Sequence, residues 1–123
     1  LAEDNELNME IAEFVLQNEG AEVSKAWNGE ETVELFRKSE SGEFDAILMD
    51  IMMPVMNGYE ATKMIMSLDR EDAKVIPIIA MSAKDAREDM DACKEAGMND
   101  YLAKPVEPQR LYQVLAEYLE NPM

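Results

Sequence analysis

Ala46-Ile47-Leu48-Met49-Asp50 constrains this chain more than any other stretch. Four apolar residues in an unbroken run suit a strand buried on both faces of a parallel sheet. The run stops on a carboxylate. Met53-Pro54 and Asn57-Gly58 follow at once, so the chain leaves the sheet and turns. Asp50 is therefore expected at the carboxyl end of a central strand, where open α/β sheets bind their ligands.

The rest of the chain alternates around that strand. Leu1-Ala2 reads as the stub of a first strand, ending on Glu3-Asp4. Asn5 is placed to cap a helix whose apolar stripe is Leu7, Ile11, Phe14 and Val15, and Gly20 ends it. Residues 21–27 read as a second strand. Asn28 and Glu31 open a second helix with Val33 and Phe36 on its buried face. After the strand to Asp50, Asn57 and Glu60 open a third helix carrying Tyr59, Met64, Ile65 and Leu68. Residues 69–74 read as a charged loop and residues 75–81 as an apolar strand ending on Ser82. A fourth helix runs from Asp85 to Gly97 on a thin stripe of Ala86, Met90, Cys93 and Ala96. Residues 99–103 form the fifth strand, ending on Lys104-Pro105, and a fifth helix starts near Pro108. Alternation of this kind predicts a single α/β domain over residues 1–123 with helices on both faces of a parallel sheet. The first strand is so short that it reads as truncated, and the chain as a piece of a longer polypeptide.

The chain has 123 residues with 11 Lys+Arg against 27 Asp+Glu, a net charge of −16. That argues against non-specific binding to nucleic acid and to anionic membranes, both of which need basic surface. No apolar run approaches the roughly 20 residues of a membrane span. A single cysteine, Cys93, excludes an internal disulfide and fits a reducing, cytoplasmic setting. There is no histidine. Ser-His-Asp and Cys-His nucleophiles and imidazole metal sites are therefore excluded. Chemistry here must run on carboxylates, hydroxyls, lysines and backbone.

Four expected strands end on polar groups: Glu3-Asp4, Asp50, Ser82 and Lys104. In a parallel sheet those ends share one edge. With strand order 2-1-3-4-5, Glu3, Asp4 and Asp50 converge at the topological switch point. Converging carboxylates repel and raise one another's pKa values unless a cation relieves them. An oxygen-only donor set with room for water suits Mg²⁺, and Mn²⁺ could substitute. A metal, Lys104 and the Ser82 hydroxyl around Asp50 are the parts needed to place a phosphoryl group on that carboxylate.

These pieces resemble the receiver domain of two-component response regulators over nearly the whole chain. The resemblance is carried by Glu3-Asp4-Asn5, by Met49-Asp50-Ile51-Met52-Met53-Pro54 with Gly58 after it, by Met81-Ser82-Ala83, and by Asp100-Tyr101-Leu102-Ala103-Lys104-Pro105. The pieces look most like receivers attached to or working with hybrid sensor histidine kinases. The resemblance implies a flavodoxin-like, doubly wound, five-stranded sheet with five helices. It implies that Asp50 accepts a phosphoryl group, and that Glu3, Asp4, Asp50 and the backbone carbonyl of Met52 hold Mg²⁺. Glu3 stands where the family more often has Asp, and its longer side chain leaves room for an intervening water. Ser82 matches the switch hydroxyl, Tyr101 the switch aromatic and Lys104 the phosphoryl-contacting lysine. The Lys104-Pro105 bond is usually cis in the family.

The implied function is phosphorelay signalling rather than enzymatic turnover. The phosphoryl donor is a sensor histidine kinase or a histidine phosphotransfer protein. The surface of the fourth helix, fifth strand and fifth helix is the expected output, and the resemblance leaves open a phosphorylation-dependent dimer. Met52 and Lys84 occupy the two positions that tune phosphoryl lifetime in the family. An apolar Met52 orients attacking water poorly, which predicts slow self-hydrolysis. Two rivals remain: a Mg²⁺-dependent phosphohydrolase with an aspartyl nucleophile, and a degenerate receiver that only binds a partner. The first needs a second carboxylate two residues after the nucleophile, where this chain has Met52. A flavin-binding protein of the same fold is excluded by the negative charge of Glu3-Asp4 where a phosphate cradle would lie.

Overall fold

The computed structural model describes residues 1–82, 86–104 and 106–119, with backbone alone for 86–89 and 119. Among the described residues, three parallel strands form a sheet in the order β1 (Ile47–Asp50), β2 (Ile78–Ser82), β3 (Asp100–Ala103). Asp50 is level with Met81, and Ser82 with Ala103. Ala2 extends the parallel pairing beyond β1 through single bridges to Met49 and to Ala26. Its amide donates to the Leu48 carbonyl at 2.8 Å, and its carbonyl accepts from Asp50 at 2.9 Å. The expected second strand over residues 21–27 is thus reduced to its one bridge at Ala26. Its backbone bonds run to the segment around Ala2: the Ala26 amide donates to the Leu1 carbonyl at 2.9 Å and its carbonyl accepts from Glu3 at 3.0 Å, so the ladder is as short as that partner.

Six helices, counted among the described residues, surround the sheet: α1 (Glu6–Asn18), α2 (Gly29–Lys38), α3 (Gly58–Met66), α4 (Glu71–Val75), α5 (Ala86–Ala96) and α6 (Pro108–Leu119). The expectation of five missed α4, a five-residue helix that takes up the end of the stretch read as a charged loop and Val75, read as the start of a strand. Only Ala73 of α4 is buried, so its sequence carries no apolar period. Strand β2 accordingly starts at Ile78 rather than at 75.

Asparagine caps three helices. Asn5 accepts from the Asn8 amide at 2.9 Å, Asn28 from Glu31 at 2.8 Å, and Asn57 from Glu60 at 2.9 Å. Asn57 and Glu60 form a reciprocal capping box, whereas Glu31 reaches past its cap to the Trp27 amide.

Alternate strand residues point to opposite faces and build two cores. Ile47, Met49, Ile78 and Ala80 pack with Val33 and Phe36 of α2, Ala61 and Ile65 of α3 and Cys93 of α5. Leu48, Ile79, Met81 and Leu102 pack with Leu16 of α1 and Leu111 and Val114 of α6. Both sheet faces are therefore covered, and strand ends are the places left for polar side chains.

One helix turns most of its expected stripe outward. Helix α1 buries Met9, Ala12 and Leu16, while Leu7, Ile11 and Phe14 are 64%, 50% and 68% exposed; Val15, the fourth residue of that stripe, is half-buried and packs against the core of Leu16 and Leu111. Both triplets fit a 3.6-residue period, and periodicity does not say which of two apolar stripes meets the sheet. Ala12 is the residue that allows the inward face to approach closely. The bulkier stripe is left outside.

Arg70 ties α2 to the loop before α4. Its guanidinium donates to the Phe36 carbonyl at 2.7 Å and the Ser39 carbonyl at 3.1 Å, pairs with Asp72 at 2.7 Å and lies 4.6 Å above the Phe36 ring. It thereby adds a donor to the Phe36 carbonyl, which also accepts from the Ser39 amide, and supplies one to the Ser39 carbonyl at the end of α2.

Candidate functional site

The strand ends do converge. One carboxylate oxygen each from Glu3, Asp4 and Asp50 lies within 4.8 Å of the others. Glu3 and Asp50 are buried and Asp4 is exposed. Glu3 and Asp4 follow Ala2, whose bridge to Met49 sets them beside the end of β1. Lys104 enters from the end of β3. Its Nζ lies 2.7 Å from Glu3 Oε1 and 2.9 Å from Asp50 Oδ2. The Asn5 amide donates to the other Glu3 oxygen at 3.1 Å. Both oxygens of Glu3 are thus engaged within the chain.

Ser82 is buried at the end of β2, one residue beyond the partner of Asp50. Its carbonyl accepts from the Lys104 amide at 2.7 Å, which links the switch candidate to the lysine through the backbone. Tyr101 is half-buried on β3, paired with Ala80 and packed against the core shared by α2, α3 and α5. Met52 follows β1 with its side chain exposed. Pro105, and so the expected cis bond, lies outside the described residues, as do Ala83 and Lys84.

The electrostatics are uneven. Burial, and then the neighbouring Glu3, push the Asp50 carboxyl up to about 7, against the opposing pull of Lys104. Burial acts on Glu3 in the same sense, but hydrogen bonds from Lys104, Asp50 and the Asn5 amide outweigh it and hold Glu3 below its ordinary value. Burial likewise works against the Lys104 charge, and its two carboxylate partners more than offset this and raise it. The mutual elevation expected of crowded carboxylates therefore falls on Asp50, with desolvation the larger cause. A buried carboxyl raised this far at a strand end is the pattern of a candidate functional site rather than of a solvated end.

The donor set fits a hard divalent cation. It offers carboxylate oxygens only, one of them from the exposed Asp4, so bound water can be retained as Mg²⁺ requires. Among the described residues one lysine balances the three carboxylates, which leaves excess negative charge for a cation to neutralise. The pairing of Lys104 with Glu3 was not legible in the sequence. It is a contact between opposite ends of the chain, for which spacing gives no signal.

Comparison with known proteins agrees with this architecture. The family description "Response regulator receiver domain" matches residues 1–116. Hybrid signal transduction histidine kinase I of Dictyostelium discoideum is 34% identical over 127 residues, an alignment covering 98% of this chain and 7% of that protein. The chain thus corresponds to a small part of such relatives. Among solved structures, the receiver domain of a sensor histidine kinase from Pseudomonas aeruginosa, with a magnesium ion coordinated in its active site cleft, is 36% identical with a TM-score of 0.86. That match covers 98% of this chain and 94% of the other. A chemotaxis response regulator of Vibrio cholerae is 29% identical with a TM-score of 0.85, covering 96% and 94%. Sequence, topology and the acidic strand-end cluster lead to one assignment: the chain belongs to the response regulator receiver domain family.

Proposed function

We propose that this chain is the phosphoryl-accepting domain of a phosphorelay, and that Asp50 is its acceptor. The observation that carries the reading is the convergence of Asp50, Glu3, Asp4 and Lys104 at one sheet edge. Asp50 attacks the phosphorus of a partner's phosphohistidine in line. An Asp50 oxygen–phosphorus bond forms, the phosphorus–nitrogen bond breaks, and the electron pair stays on the departing imidazole, which takes up a proton. Lys104 stands 2.9 Å from the attacking carboxylate, where it can neutralise charge developing on the transferred group. Asp4, Asp50 and the Met52 carbonyl would hold Mg²⁺. Glu3 would act through water, because its two oxygens already accept from Lys104 and Asn5. When bound, Mg²⁺ supplies positive charge to the phosphoryl oxygens and orients them.

The partner is a sensor histidine kinase or a histidine phosphotransfer protein, since this chain has no histidine of its own. A reducing cytoplasmic setting suits a chain whose single cysteine, Cys93, is buried and has no second cysteine to pair with. The described residues contain no helix long and apolar enough to cross a membrane. The single-domain extent of residues 1–123 and the five-strand order 2-1-3-4-5 belong to the same reading, the bridges of Ala2 to Ala26 and Met49 being its support. Ser82 and Tyr101 would relay the modification to the surface of α5, β3 and α6. Slow self-hydrolysis, over minutes or longer, is expected because Met52 offers no group to orient water.

The test is intact mass after incubation with Mg²⁺ and acetyl phosphate, for the parent and for Asp50→Asn. One added phosphoryl group in the parent alone is expected. Continued hydrolysis of a phosphomonoester with no covalent adduct would favour the phosphohydrolase. No adduct and no Mg²⁺ uptake would favour the degenerate module.

A further inference from the structure

The loop leaving Asp50 is held in an unusual conformation from two sides. The Met56 amide donates to the Pro54 carbonyl at 2.7 Å, and Val55 between them has φ 70°. A two-residue hydrogen bond around a left-handed residue is the rare, strained form of γ-turn. Val is among the worst residues for it, because a β-branched side chain crowds the backbone there. The Val55 side chain is 74% exposed, so its own packing does not hold the turn. Such strain persists only where the surroundings over-determine it.

Gly29, the first residue of α2, supplies one constraint. Its amide donates to the Met56 carbonyl at 3.0 Å. A Cβ at Gly29 would collide with that carbonyl oxygen and lie 2.9 Å from the carbonyl carbon. Gly29 does not have positive φ, so glycine is needed here for close approach and not for backbone freedom. Gly58 supplies the other constraint. Its amide donates to the Ile51 carbonyl at 2.9 Å, and a Cβ there would lie 2.5 Å from the Asp50 carbonyl oxygen. The segment 51–56 is therefore fixed at both ends by backbone contacts that only glycine permits.

We propose that Gly29 is a positioning residue for the acidic site: the start of α2 braces the strained loop that carries the Met52 carbonyl away from Asp50 at the end of β1, beside Glu3, Asp4 and Lys104. This rests on the reading of that site as the Mg²⁺ and phosphoryl site. Gly29 touches no reacting atom. It acts through the Met56 carbonyl, and a side chain there would push the loop outward and let the γ-turn relax. A helix start distant in sequence from the acidic residues thereby contributes to metal binding.

The test is calorimetric Mg²⁺ titration of the parent, Gly29→Ala and Gly20→Ala. Gly20 has φ 89° and open space for 4 Å around the place a Cβ would occupy, so alanine there strains the backbone without touching the loop. Affinity about tenfold weaker in Gly29→Ala, with Gly20→Ala like the parent, is the expected result. Gly29→Ala binding within about twofold of the parent would overturn the proposal. A parent that takes up no Mg²⁺ would refute the underlying receiver-site reading instead. A second measurement needs no variant. Coupling is reciprocal, so Mg²⁺ saturation of the parent slows amide exchange at Gly29 by about tenfold and leaves Gly20 unchanged. Exchange at Gly29 that is indifferent to Mg²⁺ would also overturn it.

Discussion

Asp50 shows how one residue can lower the stability of a fold at the place where the fold does its work. Its carboxyl is raised from 3.8 to about 7 by burial and by Glu3. A carboxyl raised in the folded state costs stability once pH exceeds its unfolded value, and the cost is complete above the folded value. The metal-free protein should therefore gain stability from this group as pH falls from about 8 to about 5.5, by roughly 1–2 kcal/mol after allowing for solvent screening. Glu3, held low, keeps its contribution throughout that window and loses it only at lower pH. Urea denaturation of Asp50→Asn should show higher stability than the parent near pH 8, and this advantage should shrink as pH falls to about 5.5, the buried Leu1 amine acting equally on both proteins. An advantage that stays constant over the same fall in pH would contradict the assignment of the penalty to Asp50. Val55 is a second residue held against its preference. Asparagine tolerates left-handed backbone, so Val55→Asn should raise stability by about 0.5–1 kcal/mol. A loss of stability would mean that the valine side chain packs in a way its exposure does not reveal.

Helix α1 separates apolar sequence from apolar core at the scale of an element. Its outward stripe of Leu7, Ile11 and Phe14 is larger than its inward stripe of Met9, Ala12 and Leu16. Leu16→Ala should cost about 2–4 kcal/mol, because it opens a cavity under the sheet. Replacing Leu7, Ile11 and Phe14 together by polar residues should change stability by less than about 0.5 kcal/mol each. The reverse ranking in thermal melts would restore the face expected from sequence. Helix α5 is held differently. Its buried side chains include Cys93 and Ala96, which cover little area, while Met90 is exposed. A thinly anchored helix opens more readily than one packed on Phe36 or Ile65. Amide exchange in α5 and β3 should therefore change on phosphorylation while α3 stays constant. Exchange unaltered in α5 and β3 would remove this surface from the output mechanism.

Across the whole molecule, the legible features were those written in local order. An apolar run ending on Asp50, and similar ends at Ser82 and Lys104, were enough to place a site at one edge of a parallel sheet. The three asparagine caps were legible because capping is decided within four residues. What the sequence hid depends on contacts between distant segments. The inward face of α1 is chosen by the sheet it meets. The short pairing around Ala26 depends on Ala2, and α4 is anchored by Ala73 and by Arg70 reaching back to Phe36. Lys104 between Glu3 and Asp50 joins the two ends of the chain. The cluster of Glu3, Asp4, Asp50 and Lys104 was thus readable as a set of residues, and its internal pairing was not.

The proposed phosphorelay role rests on Asp50 forming the acyl phosphate. Borohydride reduction converts an aspartyl phosphate to homoserine, which peptide sequencing locates without ambiguity. After incubation with Mg²⁺ and phosphoramidate, whose phosphorus–nitrogen bond stands in for phosphohistidine, homoserine is expected at position 50 and at no other. Homoserine at position 4, or a stable phosphate on Ser82 with Asp50 unmodified, would contradict it.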